Sequence, residues 1–134
     1  MRTTTLRVKT PPGFRVDAAG LLPAALASLS VAEIERVALP GGNERCLVGD
    51  VFEVSRNDAP AAGDDMATLV IDGAAPWLDR LGAQMNGGRL IARGPVGDYS
   101  GFRMSGGLLE IDGAAGHFTG CEMRGGRLTV RGNS

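Results

Sequence analysis

Aromatic side chains are scarce in this chain of 134 residues, which contains one Trp, one Tyr and four Phe. A core built around many large rings is therefore excluded. Histidine occurs once and cysteine twice, so a histidine-based zinc site lacks ligands. Neither sign of charge dominates, because 14 Lys and Arg stand against 15 Asp and Glu. This balance excludes nucleic-acid binding driven by bulk electrostatics.

Long apolar runs are also missing. No segment approaches about 18 continuous apolar residues, and the N-terminus lacks the apolar run of a secretory signal. We therefore expect a cytoplasmic protein that does not enter a membrane. Cys46 and Cys121 are expected to be reduced, buried thiols, in preference to a disulfide or a metal site. Disorder is excluded, since 43% of the residues are hydrophobic and the net charge is −1.

Glycine is the residue that the chain has in excess. Of 21 glycines, 15 lie between Gly73 and Gly132, where they mark a repeat of 19 residues. The repeat reads Gly-x-x-Met-x-Gly-Gly, and its copies begin at Gly82, Gly101 and Gly120. Each copy continues with five strand-like residues and another glycine. A fixed period of this length is typical of a repeat architecture.

The aligned copies, with a degenerate earlier copy at residues 68–73, predict which side chains stack. Because side chains alternate along a strand, two aliphatic columns face the interior: Leu69, Leu90, Leu109, Leu128 and Ile71, Ala92, Ile111, Val130. An outward column alternates in charge: Asp72, Arg93, Asp112, Arg131. We expect a core ladder, in preference to a metal or cofactor site, from Met85, Met104 and Met123, and an apolar stack from Leu78, Tyr99 and Phe118.

A strand in every repeat, with no room for a helix between copies, predicts a mainly β fold. Identical copies stacked in one direction indicate a right-handed parallel β-helix over residues 66–134, with about four coils. The corners of such coils need positive φ angles or close backbone contact, which glycine accepts. The corner positions are predicted at Gly82, Gly87, Gly88, Gly94, Gly101, Gly106, Gly107, Gly113, Gly120, Gly125, Gly126 and Gly132.

The first part of the chain reads differently, and we interpret residues 1–60 as a small α+β cap on one end of the solenoid. It begins with short strands predicted at 4–8 and 14–16, which are separated by Pro11 and Pro12. An apolar helix at 21–29 with Pro23 in its first turn follows, and then a capping box at Ser30 and Glu33. Strands on either side of Gly49 and Asp50 and a polar linker at 57–65 complete the predicted segment.

Few residues are candidates for a catalytic or ligand-binding site. His117 is a potential general base, although an exposed histidine beside a corner is the favoured interpretation; its column aligns as Trp77, Asp98, His117. Residues 113–116 have a superficial likeness to a phosphate-binding loop but lack a Lys and a following helix. The solenoid arginines form either a solvated face or a docking site for an acidic partner or a polyglutamate tail.

The coil pattern Met-x-Gly-Gly-x-Leu-x-(Ile/Val)-x-Gly resembles the GXGXG-type β-helix of glutamate synthase. It is still more similar to the C subunit of formylmethanofuran dehydrogenase and of the bacterial formyltransferase/hydrolase complex. The N-terminal segment adds to this resemblance through its residues 6–16, its helix at 21–29, Ser30-x-x-Glu33-Ile34 and Val48-Gly49-Asp50-x-Phe52-x-Val54. The resemblance covers nearly the whole chain, although members of this family are generally longer and have more coils.

The resemblance implies a non-catalytic scaffold subunit with no cofactor, metal or catalytic residues of its own, in tetrahydromethanopterin-linked one-carbon metabolism. In these complexes the formyl group is cleaved from a methanofuran-type carrier by an amidohydrolase-like subunit, and a formyltransferase-like subunit handles transfer to the pterin. A free-standing β-helix module that binds or converts a formylated or pterin-like ligand is the alternative.

The last coil, Gly120 to Gly132, is expected to present an unpaired and uncapped strand edge. We expect this edge to be covered by other subunits, amidohydrolase-like and formyltransferase-like, or by a second copy of the chain. The residues predicted to form the partner interface are Met123, Arg124, Arg127, Leu128, Val130 and Arg131.

Overall fold

The computed structural model describes residues 3–10, 13–41, 44–57 and 67–132. Most of the linker predicted at 57–65, the break at Pro11 and Pro12, and the residues after Gly132 lie outside this described part. The described residues form ten strands and three short helices. In chain order they are β1 Thr3–Val8, β2 Val16–Asp17, α1 Pro23–Ala27, α2 Val31–Glu35, β3 Ala38–Gly41, β4 Glu44–Leu47, α3 Val48–Val51, β5 Phe52–Asn57, β6 Thr68–Asp72, β7 Leu78–Asp79, β8 Asn86–Arg93, β9 Gly106–Ile111 and β10 Arg127–Val130.

The fold is mainly β, as the repeat predicts. Six strands form one sheet in the order β10-β9-β8-β6-β1-β5. All neighbours in it are parallel except β1 and β5, which are antiparallel. Two smaller pairs complete the described strands: β2 lies parallel to β7, and β3 forms a hairpin with β4.

The register of the large sheet confirms both predicted aliphatic columns. Leu69 stands opposite Leu90, which stands opposite Leu109, which stands opposite Leu128. The second column runs in the same way from Ile71 to Val130. Stacking of like aliphatic side chains at the interior face therefore fixes the register, since a slip by one residue would turn the whole set outward.

Strand β1 joins this sheet, which the repeat alone does not predict. Thr4 stands opposite Leu69 and Leu6 opposite Ile71, so the first strand of the cap segment extends the interior columns by one position. Leu6 is completely buried. Val16 in β2 likewise pairs with Leu78 in β7. The N-terminal segment therefore shares the core of the repeats through backbone pairing as well as side-chain packing.

Burial falls towards β10. Met85 and Met104 are buried, which confirms the predicted core ladder at these two positions, whereas Met123 is only half-buried. Leu109 is completely buried while Leu128 is half-buried. The interior side chains of the repeat copy that contains β10 are thus less completely covered than those of the copies before it.

Helices α1 and α2 begin where the sequence predicts. Pro23 occupies the start of α1, which ends at Ala27 and is shorter than the predicted segment 21–29. The capping box of α2 is present: the Ser30 hydroxyl accepts a hydrogen bond from the Glu33 N–H at 3.2 Å, and the Glu33 carboxylate accepts one from the Ser30 N–H at 3.0 Å. The hydrogen bond from the Ser30 N–H to this carboxylate is the largest cause that lowers the pKa of Glu33. Strands β4 and β5 lie on either side of Gly49 and Asp50, as predicted, and one turn of helix, α3, joins them.

Two of the predicted side-chain columns are wrong at their first member. The 19-residue spacing places Asp79, not Trp77, in the column of Asp98 and His117. It also places Arg80, not Leu78, in the column of Tyr99 and Phe118, and these three share a left-handed backbone with φ of 57°, 60° and 59°. The copy before Gly82 has two extra residues, and these shift the alignment there.

Tyr99 and Phe118 stack with ring centroids 5.0 Å apart, and Phe118 is 59% exposed. Leu78 is instead completely buried. The predicted apolar stack therefore consists of the two aromatic rings, and it lies at the surface.

Cys46 and Cys121 are free thiols, and both are half-buried where full burial is expected from the sequence. Burial and the charge of Asp50 raise the pKa of Cys46. Within the described ranges, no helix is long and apolar enough to cross a membrane.

Candidate functional site

Strand β10 lies at the end of the large sheet, and among the described strands only β9 pairs with it. Its place is set by the register of Leu128 against Leu109 and of Val130 against Ile111. An edge strand leaves one row of backbone N–H and C=O groups without a sheet partner. The edge is therefore able to accept another strand.

The six residues of the predicted partner interface divide into two sets at this end. The apolar members Met123, Leu128 and Val130 are half-buried and pack against the hydrophobic core from its outer side. The basic members, all exposed, are Arg124, Arg127 and Arg131. The end of the sheet thus combines a partly covered apolar strip with an excess of positive charge.

Two backbone donors shortly before β10 lack the acceptor that their counterparts in earlier repeats have among the described residues. At one corner the Arg80 N–H donates to the Asp98 carbonyl at 2.8 Å, and the Tyr99 N–H donates to the His117 carbonyl at 2.9 Å. The next position in this series is Phe118, and no carbonyl among the described residues accepts from its N–H. Among the described residues, this series of hydrogen bonds therefore ends at Phe118.

A second corner shows the same termination. The Gln84 N–H donates to the Phe102 carbonyl at 2.7 Å, and the Arg103 N–H donates to the Cys121 carbonyl at 3.0 Å. Within the described part of the chain the corresponding N–H of Glu122 has no carbonyl acceptor. In the part of the chain that the structure describes, both series of hydrogen bonds thus end in the repeat copy that contains β10.

Positive φ angles occur at most of the glycines predicted at corners and also at residues other than glycine. Eight of the twelve glycines predicted at corners have positive φ, namely Gly82, Gly87, Gly88, Gly94, Gly101, Gly107, Gly120 and Gly126. Gly106, Gly113, Gly125 and Gly132 lack positive φ but lie close to the backbone or a side chain of a neighbouring coil. Left-handed backbone also occurs, unpredicted, at Gln84, Arg103 and Glu122, which recur at the 19-residue period two positions after a repeat glycine.

A second candidate site is a cavity of about 290 Å³ between the cap segment and the repeats. Its lining residues come from the cap segment and the first corner: Arg15, Val16, Asp17, Pro40, Gly41, Asp79 and Arg80. Arg15 forms a bidentate pair with Asp79, with Nε at 2.8 Å from Oδ2 and Nη2 at 2.5 Å from Oδ1. Its Nη2 also lies 3.5 Å from Asp98 Oδ2.

The charged side chains around this cavity form ion pairs with one another. Burial acts to raise the pKa of Asp79, but hydrogen bonds from Arg15 and the Asp98 N–H, with the charges of Arg15 and Arg80, outweigh it and hold the pKa below its usual value. The hydrogen bond to Asp79 raises the pKa of Arg15. Arg80 lies 3.6 Å from Asp17 Oδ2. Such an arrangement links the cap segment to the repeats.

His117 is exposed, and its backbone N–H donates to Asp98 Oδ1 at 2.8 Å. In the described residues no three His, Cys, Asp or Glu side chains are grouped so as to hold a metal ion. Sequence reasoning misses the Arg15 cluster because its partners lie 64 residues apart, and only the pairing of β2 with β7 brings them together.

Comparison with known proteins gives a consistent answer. The chain is 37% identical over 94 residues to the C subunit of the formyltransferase/hydrolase complex Fhc of Methylorubrum extorquens, covering 70% of this chain and 33% of that protein. It is 35% identical over 99 residues to the C subunit of the tungsten-containing formylmethanofuran dehydrogenase 2 of Methanothermobacter marburgensis, covering 74% of this chain and 36% of that protein. No family model matches.

The structural comparison agrees. The chain superposes on a chain from the crystal structure of the formyltransferase/hydrolase complex FhcABCD of Methylorubrum extorquens in complex with methylofuran, with a TM-score of 0.83 and 34% sequence identity. This match covers 96% of the present chain and 46% of the other. The present chain spans about a third of the length of its curated relatives. The chain is a homologue of the C subunits of the formyltransferase/hydrolase and formylmethanofuran dehydrogenase complexes.

Proposed function

We propose that this chain is a non-catalytic structural subunit, or a paralogue of the C subunit, in a formylmethanofuran dehydrogenase-like or formyltransferase/hydrolase complex. Its role is to hold the catalytic subunits of tetrahydromethanopterin-linked one-carbon metabolism in the cytoplasm. The observation that carries this proposal is the similarity of the chain, in sequence and in fold, to the C subunits of these complexes.

The proposed architecture is a right-handed parallel β-helix of about four coils over residues 66–134, joined to an α+β cap at 1–60. Two observations support the β-helix. The strands β6, β8, β9 and β10 are parallel and in register, and hydrogen bonds at two corners recur with the period of the repeat. The twelve predicted glycines are the proposed corners of these coils.

The charged groups that the structure brings together support a structural role for them. Arg15 bridges Asp79 and Asp98, which belong to successive copies of the repeat, and Arg80 approaches Asp17 in the cap segment. Each charge therefore serves the contact between cap and coils. We assign no catalytic, cofactor-binding or metal-binding residue to this chain.

The proposed partners are amidohydrolase-like and formyltransferase-like subunits, or a second copy of the chain. They are proposed to dock at the β10 end through Met123, Leu128 and Val130, with the three exposed arginines around them. Addition of a strand to an exposed edge supplies main-chain hydrogen bonds, while side-chain pockets give specificity.

Co-purification tests this function. The tagged chain would be co-expressed with the other three kinds of subunit of the Methylorubrum extorquens complex and analysed by size-exclusion chromatography. We expect a stable complex, and we expect Leu128→Asp to weaken it at least about tenfold, because a carboxylate would be buried against an apolar partner. Leu47→Asp is the matched control, since Leu47 is 40% exposed in the cap segment.

Two results would count against the scaffold role: elution of the tagged chain apart from all of the co-expressed subunits, or equal weakening by both substitutions. Circular dichroism on each variant verifies that the chain is still folded, so that a loss of binding is not mistaken for unfolding.

The second candidate function is a free-standing module that binds or converts a formylated or pterin-like ligand. The cavity of about 290 Å³ beside Arg15 and Arg80 favours it, because that volume suits a small polar molecule. Turnover of a formylated substrate by the isolated chain, lost on replacing His117 or Asp98, would support this function over the first.

A further inference from the structure

The cavity of about 290 Å³ between the cap segment and the repeats has walls from three parts of the chain. Strand β2 contributes Asp17, β3 contributes Pro40 and Gly41, and the first corner contributes Asp79 and Arg80. Asp17 pairs in register with Asp79 in the parallel pair β2 and β7. Backbone pairing therefore fixes the charged walls of the cavity relative to each other.

The two arginines of this cavity differ in how completely they are paired. Arg15 donates two hydrogen bonds to the Asp79 carboxylate. Arg80 is exposed, and the nearest carboxylate oxygen among the described residues, Asp17 Oδ2, lies 3.6 Å from its Nη1, beyond hydrogen-bond distance. The guanidinium of Arg80 therefore keeps its donors for another acceptor, and its planar fork matches a carboxylate.

The Asp17 carboxylate has one oxygen that is used and one that is not. Its Oδ1 accepts a hydrogen bond from the Ala19 N–H at 2.9 Å, which holds the carboxylate in place. No described residue donates a hydrogen bond to its Oδ2, which is the oxygen that approaches Arg80. An ionised carboxylate only accepts hydrogen bonds, so Oδ2 is suited to a cationic donor such as an ammonium group.

The charges that line the cavity cancel, because Arg15 and Arg80 stand against Asp17 and Asp79. Asp98 adds a further negative charge beside Arg15, at 3.5 Å from its Nη2. A purely anionic ligand would pair with Arg80 but be repelled by Asp17, and a purely cationic ligand would meet the reverse situation. A ligand that carries both charges satisfies both groups and leaves neither unpaired.

The spacing of the two free groups limits the shape of such a ligand. Nη1 of Arg80 and Oδ2 of Asp17 lie 3.6 Å apart, so the two charged groups of the ligand must also lie close together. An α-amino acid meets this condition, since its carboxylate and its ammonium group are attached to one carbon atom. The volume is at the lower end of the range for ligand sites, which favours a short side chain.

We propose that this cavity binds a small zwitterionic α-amino acid, whose carboxylate pairs with Arg80 and whose ammonium group donates to Asp17. Arg15 and Asp79 hold the walls together through their own ion pair. The amino-acid site does not depend on the scaffold function. It uses the same cavity as the second candidate function but takes a ligand of another class and needs no turnover.

Titration of the full chain with L-alanine tests this site, with binding followed by amide chemical shifts. Propionate and ethylamine are the matched probes, because each keeps only one of the two charged groups of L-alanine. We expect L-alanine to shift the amides of Ala19, Gly41 and Arg80 with a Kd on the order of 1 mM. Each single-charge probe should bind about tenfold more weakly, since one charge-assisted hydrogen bond is lost.

Substitutions assign the two contacts separately. Arg80→Gln should weaken the binding of L-alanine about tenfold without weakening that of ethylamine. Asp17→Asn should weaken the binding of L-alanine to a similar extent without weakening that of propionate. Arg93→Gln is the matched control, because Arg93 is an exposed arginine that does not line the cavity. Circular dichroism on each variant establishes that the chain is folded.

Three results would overturn the amino-acid site: no shift of the cavity amides, propionate or ethylamine binding as tightly as L-alanine, or equal weakening by Arg80→Gln and Arg93→Gln. Tighter binding of N-formyl-L-alanine, which has no ammonium group, would also overturn it and would favour the formylated ligand of the second candidate function. Co-purification with the other subunits tests the scaffold function without L-alanine, so either idea can fail while the other stands.

Discussion

The Asp98 carboxylate accepts a hydrogen bond from the backbone N–H of His117 at 2.8 Å, one repeat of 19 residues later in the chain. Asp79 does the same for the N–H of Asp98 at 2.9 Å. The side chain of one copy of the repeat thus satisfies a backbone donor of the next. These hydrogen bonds link successive copies beside the backbone hydrogen bonds that join Arg80 to Asp98 and Tyr99 to His117.

Replacing Asp98 with Ala should lower the free energy of unfolding by about 1 kcal/mol, because the N–H of His117 loses its acceptor. Urea denaturation followed by circular dichroism measures the change. Asp112→Ala is the matched control, since Asp112 is exposed and forms no ion pair among the described residues. Equal losses for the two variants would contradict a role for these hydrogen bonds.

Asp79 should make stability depend on pH. Because its pKa is lower in the folded chain than its ordinary value of 3.8, its interactions stabilise the fold above that pH and are lost as the pH falls through and below it. We expect the stability difference between the native chain and Asp79→Asn to be present at about pH 7 and to shrink towards about pH 3. Urea titrations at both values measure it, and a difference that did not change with pH would argue against the ion pair.

Gly116 should not tolerate a side chain. A Cβ there would collide with Asp98 Oδ1 and approach the Gly97 carbonyl oxygen to 2.8 Å. The Gly116 N–H also donates to that carbonyl at 3.1 Å, so the new side chain would disturb a backbone hydrogen bond. We expect Gly116→Ala to cost about 2 kcal/mol. Gly20→Ala is the control, because a Cβ at Gly20 meets nothing within 4 Å and Gly20 does not have positive φ. Thermal unfolding of both variants should separate them clearly.

The side chains of the first aliphatic column should contribute less to the free energy of unfolding towards β10. Leu109→Ala removes a completely buried side chain and should cost about 3 kcal/mol, whereas Leu128→Ala, at a half-buried position of the same column, should cost about 1 kcal/mol. Denaturant titration of the isolated chain gives both values. If a partner covers β10, the loss of stability caused by Leu128→Ala should be larger in the complex. If Leu109→Ala and Leu128→Ala cost the isolated chain the same free energy of unfolding, Leu128 would already be covered as fully as Leu109, and the prediction would be wrong.

Local patterns in the sequence are sufficient for several parts of this fold. The aliphatic columns, the capping box at Ser30 and the start of α1 at Pro23 depend on alternation, on short-range hydrogen bonds or on the fixed φ of proline. These forces act within a few residues or repeat at a constant spacing. A single sequence therefore displays them directly.

The alignment of the repeats predicts the wrong column members where the spacing between copies changes. The two extra residues before Gly82 displace the first member of two columns, so that Leu78 and Trp77 stand in place of Arg80 and Asp79. The left-handed residues Gln84, Arg103 and Glu122 are missed as well, because glycine is the usual signal of positive φ and none of the three is a glycine. Their constant period is the available clue.

By itself, the amino-acid sequence determined the mainly β fold, the inward columns and the likeness to the C subunits, since a strict period of glycines and aliphatic residues repeats the same local constraint in each copy. Only the tertiary structure decided that β1 extends the sheet and that Arg15 reaches Asp79 across 64 residues. It also added Arg7 and Glu53 to the column of alternating charge that the sequence predicts from Asp72 to Arg131. Those relationships depend on which strands become neighbours, and that order follows from burial of the whole core.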